Sequence, residues 1–230
     1  MSDHSVRPFF GFHKFAHGFS GFPKSRFAFC VFQRPFPLMS EFQPTTVAAD
    51  AAAWRNWLAH HHATHDHVWL ILFKKASTTN SVTYDEAVDE ALCYGWVDSV
   101  PKKRDADSYY QYFSRRNPTS NWSRVNKEKI ARLDAAGKLA PAGRKMVETA
   151  RASGTWDALN DVENLVVPDD LAAAFDARAG SRAHWETFPR SVRRGILEWI
   201  FNAKRPTTRN KRIGETAERA ARNERANQWR

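Results

Sequence analysis

No stretch of this 230-residue chain is apolar for long enough to cross a bilayer. The longest strongly apolar run is Val68–Phe73, six residues, where a spanning helix needs about 20. The first residues hold no continuous apolar segment either, because phenylalanine there alternates with Gly, His, Lys and Pro; a secretory signal is not expected. Cysteine is scarce. Only Cys30 and Cys93 occur, which argues against a disulfide framework and for a reducing, cytoplasmic setting. Several chemistry-bearing signatures are missing too: there is no Gly-rich phosphate loop, no G-x-S-x-G elbow and no H-E-x-x-H. No RNP, zinc-finger or helix-turn-helix pattern is present. No cofactor is expected, and an enzymatic role is not favoured.

The formal net charge is +10, unevenly spread. Residues 1–38 contribute +4 and hold ten of the 16 phenylalanines; residues 39–203 are neutral; residues 204–230 contribute +6. In residues 1–38 phenylalanine follows no period of 2 or 3.6, and four prolines and three glycines break any helix. The composition changes abruptly at Met39. The expectation is a disordered leader over 1–38 with translation beginning at Met39; the alternative is a targeting or aromatic-basic arm.

The rest reads as α+β. Asp50 is a plausible N-cap for a helix to about His61, with Trp54, Trp57 and Leu58 on one stripe. Val68 to Lys75 reads as a strand. Thr83-Tyr-Asp-Glu86 matches a capping box and Gly95 a C′ stop. Asp85, Glu86, Asp89 and Glu90 then read as that helix's cap and solvent face. Trp96–Val100 and Ser108–Ser114 form a hairpin across the charged loop Pro101–Asp107, with Tyr110 and Tyr112 on one face and Tyr109, Gln111 and Phe113 on the other. The expectation is a small antiparallel sheet of about three strands, packed with helices and followed by an all-helical C-terminal half. Helices are expected from Ser120 to Gly137, from Pro141 to Gly154, and at about 169–178, 181–188, 191–203 and 207–225, the last liable to fray. A boundary is placed at 155/156, giving an α+β part over 39–155 and a helical part with a basic tail over 156–230.

Ala91-Leu-Cys-Tyr-Gly-Trp-Val-Asp-Ser99 resembles the signature of the bacteriocin-protection YdeI/OmpD-associated family of bacterial proteins. Trp54-Arg-Asn-Trp-Leu, Tyr84-Asp-Glu-Ala-Val, Arg115-Arg116, Ser120-Asn-Trp-Ser123, Ala140-Pro-Ala-Gly143, Val167-Pro-Asp-Asp-Leu171 and Ala203-Lys-Arg-Pro206 continue the resemblance over roughly 45–225. It departs at His60-His-His62 and His65, where only His62 has a counterpart. The resemblance implies a stress and antimicrobial-peptide protection role, with no reaction or catalytic residues to carry over.

Among candidate sites, one surface stands out: Asp98, Lys102 and Arg104 from the hairpin, Tyr110 and Tyr112 from its return strand, then Arg115 and Arg116 before a helix expected to start at Ser120-Asn121. A helix N-terminus between two arginines suits a phosphate or carboxylate. The partner is therefore expected to be an anionic small ligand or an unidentified protein; a small-molecule enzyme or sensor using Asp98, Arg115 and Arg116 is the alternative. The competing structural reading is that the arginines brace the hairpin. His61 and His65, four apart, are weak metal candidates, with no metal site expected. Cys93, at a helix C-terminus among apolar neighbours, reads as core. The Lys204–Arg212 tail allows only weak nucleic-acid binding.

Overall fold

The computed structural model describes residues 43–227; the leader reading falls outside them. The described chain runs β1 (Thr45–Val47), α1 (Ala51–His61), β2 (His67–Phe73), α2 (Tyr84–Cys93), β3 (Trp96–Lys103), β4 (Ser108–Arg115), α3 (Arg124–Ala135), α4 (Pro141–Ala152), α5 (Asn160–Glu163), α6 (Asp169–Asp176), α7 (Ser181–Thr187), α8 (Arg190–Phe201) and α9 (Pro206–Ala221). The fold is α+β, with the C-terminal half helical. None of the described helices is long and apolar enough to cross a membrane.

The local signals act as read. Asp50 Oδ1 accepts the Ala53 N–H at 2.8 Å and caps α1. Thr83 and Glu86 close a reciprocal capping box on α2. Gly95 ends α2 at φ +72°, a left-handed position that glycine adopts without Cβ strain.

The sheet order is β1-β2-β4-β3. β2, β4 and β3 pair antiparallel, as expected of the hairpin. β1 is a fourth strand and pairs parallel to β2, making the sheet mixed. Three residues carry no readable period, so nothing in the sequence announces it. β3 also runs to Lys103, past the expected end at Val100. It is an edge strand, where Pro101 forfeits no ladder bond it would need, and a register shift between Asp98 and Pro101 accommodates the irregular stretch.

One sheet face meets the helices. Val68, Leu70 and Leu72 of β2 and Phe113 of β4 pack with Trp54 and Leu58 of α1, Val88 and Leu92 of α2, Trp96, Trp122, and Ile130 and Leu133 of α3. Side chains of this size contribute about 1.5–3 kcal/mol each when buried. The Trp54 indole N–H donates to the Ala87 carbonyl at 3.0 Å, so its burial leaves no orphan donor.

A second buried cluster joins Leu171 and Phe175 of α6, Trp185 of α7, Ile196, Leu197 and Ile200 of α8, and Ile213, Ala217 and Ala220 of α9. The last helix is thus folded onto α6 and α7, not frayed: three small or branched side chains a turn apart suffice when they meet Trp185 and Phe175.

Candidate functional site

The expected surface divides between two faces of the sheet. Tyr110 and Tyr112 project from the outer face beside Trp69 and His67; Tyr112 lies 4.9 Å from the Trp69 ring and 5.4 Å from the His67 ring, centroid to centroid. Lys102 is opposite Tyr110 in the ladder and sits 6.0 Å from the Trp69 ring centroid. Asp98 is opposite Phe113 and so faces the helices, where its Oδ2 accepts the Tyr84 hydroxyl at 2.6 Å. Burial first, and that carboxylate second, push the Tyr84 phenol above its ordinary range. Phe113 and Tyr110 are three apart on β4 and face opposite ways; the register shift between Asp98 and Pro101 leaves Asp98 on the Phe113 face and carries Lys102 to the Tyr110 and Tyr112 face, so Asp98 cannot share a pocket with them. Arg104 stays at the hairpin turn, bonded to Ser108 Oγ and paired with Asp105.

Arg115 and Arg116 part company as well. Arg115 Nε donates to the carbonyls of His62 and His65 at 3.0 and 2.9 Å, and Nη2 to that of Ala63; Asp66 lies 3.5 Å from Nη1. It braces the turn that follows α1, not the hairpin, and none of Asp98, Asp105 and Asp107 pairs with it among the described residues. The expected helix start at Ser120-Asn121 is corrected: α3 begins at Arg124 with Ser123 as N-cap. Residues 117–120 form a turn instead, in which Asn117 Oδ1 accepts the Thr119 N–H and hydroxyl. The α3 N-terminus is already occupied by an internal anion, Glu163, whose Oε1 is 3.4 Å from the Arg124 nitrogen.

Arg116 is the residue that stands out. It is 5% exposed, and no carboxylate forms an ion pair with it among the described residues. Its guanidinium lies 3.8 Å from the Trp122 ring centroid. Nη2 donates to the Asn121 carbonyl, and Nε is buried with no hydrogen-bond partner. Burial pulls its pKa down to about 10, with Asp98 opposing. Asp98 offsets part of this through space without forming an ion pair; an enclosed cation lacking such a pair costs several kcal/mol relative to a paired one, on the order of the effective penalty for burying an ion.

This arginine lines a cleft of about 600 Å³ with His62, Tyr94, Trp96, Asn117, Ala142 and Met146. Ala142 is the second residue of α4, whose N-terminus begins at Pro141 and has no side-chain cap. A helix N-terminus and a buried arginine therefore do meet at one cleft, but the helix is α4. Close packing puts it there. Gly143 lies so near α2 that an added Cβ would overlap the Cys93 carbonyl oxygen, and the Ala140 N–H donates to the same carbonyl at 3.0 Å. His62 Nδ1 donates to the Leu58 carbonyl at 2.9 Å.

His61 and His65 do come together, with ring centroids 4.9 Å apart. Both pack on Trp57, and no third metal-capable side chain joins them among the described residues. Cys93 is fully buried, and burial raises its thiol pKa.

Two families match this chain. Residues 46–146 match a domain of unknown function (DUF8412). Residues 164–223 match the family described as Bacteriocin-protection, YdeI or OmpD-Associated. The chain carries a YdeI/OmpD-associated domain. That domain spans the helical cluster of α6 to α9, whereas Ala91–Ser99 and the Arg116 cleft fall in the other match. No curated protein and no solved structure matches the chain.

The basic residues of the YdeI/OmpD-associated domain are largely committed. Arg209 pairs with Asp170 at 2.7 Å, Arg219 with Glu215 and Arg222 with Glu218; Arg212 donates to the Trp199 carbonyl and lies over its ring. Glu163, just before the domain, is 7% exposed and receives Arg194 Nε and Nη2 at 3.0 and 2.8 Å. Through the Arg124 N–H it joins α8 to α3. The acids of α2 do similar work: Glu90 is buried against Arg55 at 2.6 Å, and Asp89 takes Lys129 and Arg132. Only Asp85 and Glu86 of that set match the solvent-face reading.

Proposed function

We propose that this protein is a non-enzymatic, cytoplasmic binding protein of the bacteriocin-protection type, acting through a small anionic ligand held at the Arg116 cleft. The observation that carries the reading is the buried, unpaired guanidinium of Arg116 beside the uncapped α4 N-terminus. Both features favour negative charge. No cysteine, serine or carboxylate lines the cleft among the described residues, so its chemistry suits recognition better than bond making. Direct sequestration of cationic peptides is disfavoured on charge: the body is neutral and the remainder basic. Protection would then be indirect, through the ligand-bound state.

The test is thermal unfolding of the full chain against sodium acetate, benzoate and phosphate at constant ionic strength. At least one anion should raise Tm in wild type and in Lys102→Ala, which alters only the opposite sheet face, and should lose that effect in Arg116→Gln. An equal response in Arg116→Gln refutes the reading.

A further inference from the structure

The lining of the Arg116 cleft is unequal in a way that restricts its ligand. Ala63, Tyr94, Trp96, Pro118, Ala142 and Met146 make most of it apolar or aromatic. Arg115 also borders it, but its donors are spent on the carbonyls of His62, Ala63 and His65. Arg116 spends Nη2 on the Asn121 carbonyl but keeps Nε without a partner, so among the described residues it is the lining arginine with an unspent buried donor, and it shares the cleft with the start of α4. No lysine lies along the cleft among the described residues. A phosphate near neutral pH carries up to two charges and is ordinarily met by several cations or a glycine-rich loop. One guanidinium and one helix terminus balance a single charge. The volume, about 600 Å³, falls in the range of small-molecule sites, roughly 300–1,000 Å³, and far exceeds what a bare carboxylate would fill.

We propose that the cleft takes a monocarboxylate with an aromatic or branched apolar body. Its carboxylate lies against Arg116 near the α4 N-terminus, and its body lies against Tyr94, Trp96 and Met146. This rests on the anion-site reading above and narrows it to one class of ligand.

Four probes separate the two levels by calorimetric titration of the full chain: phenylacetate, acetate, phenylacetamide and inorganic phosphate. Phenylacetate should bind at least tenfold tighter than acetate, phosphate or the neutral amide. Phosphate or acetate binding as tightly as phenylacetate overturns the monocarboxylate proposal and leaves the anion site standing. Phenylacetamide binding as tightly as phenylacetate, or no binding by any probe, overturns both. Arg116→Gln should weaken phenylacetate at least tenfold. Arg116 also holds the Asn121 carbonyl and covers Trp122, so its loss bears on folding as well as on ligand; Met146→Glu keeps Arg116 and those contacts while placing an internal carboxylate in the cleft. It should abolish phenylacetate binding in a protein that still unfolds cooperatively, and unchanged binding there overturns the placement.

Discussion

Replacing Gly143 by alanine should destabilise this protein, although helix propensity alone argues the reverse. In a helix, alanine is favoured over glycine by about 1 kcal/mol. Gly143 is the third residue of α4, and an added Cβ would overlap the Cys93 carbonyl oxygen while lying 2.8 Å from that carbonyl's carbon and 3.0 Å from the Leu92 carbonyl oxygen. All three obstacles are backbone, so no side chain can swing aside. Relief requires α4 to move away from the end of α2 by several tenths of an ångström or more. Overpacking of this kind costs about 1–3 kcal/mol. The movement also stretches the bond from the Ala140 N–H to the Cys93 carbonyl, worth about 0.5–1.5 kcal/mol. The net loss is about 1–3 kcal/mol, a fall in Tm of roughly 3–10 °C for a chain of this size. Gly195→Ala in α8 and Gly214→Ala in α9 are the matched controls, because an added Cβ there meets nothing within 4 Å. Each should gain up to about 1 kcal/mol from propensity. Thermal and urea unfolding of the three variants decides the matter. If Gly143→Ala is as stable as wild type, α4 does not approach α2 as closely as described, and the cleft built on that approach loses its floor.

Glu163→Gln should cost about 2–4 kcal/mol, since it removes the charge that Arg194 and the α3 N-terminus share; the urea midpoint measures it. The same residue sets an acid limit. Hydrogen bonding from Arg194 holds the Glu163 carboxyl below its ordinary value of 4.5. A depressed folded-state pKa gives stability that is present above the unfolded value and lost as pH falls through the folded one. Wild type should therefore lose stability below about pH 4.5 more steeply than Glu163→Gln, as read from Tm against pH. Arg115→Ala should lower stability by about 1–3 kcal/mol by freeing the carbonyls at the end of α1, measured by urea unfolding.

Much of the architecture could be read locally. Asp50, the Thr83–Glu86 box, Pro141 and Gly95 each act within a few residues of themselves, and the helices they delimit form where the caps say. Buried Trp54, Leu58, Ile130 and Leu133 follow from helical spacing, because one stripe of each helix must leave water. β1 escaped because three residues have no period, and the length of β3 escaped because an edge strand tolerates polar residues and proline. The start of α3 was misplaced by one turn, since Ser120 and Ser123 are equally good caps until Asn117 claims residues 119 and 120 for a turn.

The candidate site was legible only as single residues. Arg116 was named from the sequence, but Asp98, Lys102, Tyr110 and Tyr112 were grouped with it across a register shift that separates the faces of β3. What the sequence alone determined is what short-range chemistry controls: the α+β class, the helix ends that carry a distinct cap, the amphipathic stripes and the place of the surplus charge. Only the tertiary structure decided which arginine acts as a brace and which, among the described residues, is left without an ion pair. Such outcomes depend on distances between residues far apart in sequence, here Arg115 bonded to the turn after α1 and Arg116 sharing a cleft with the start of α4, and no local pattern encodes them.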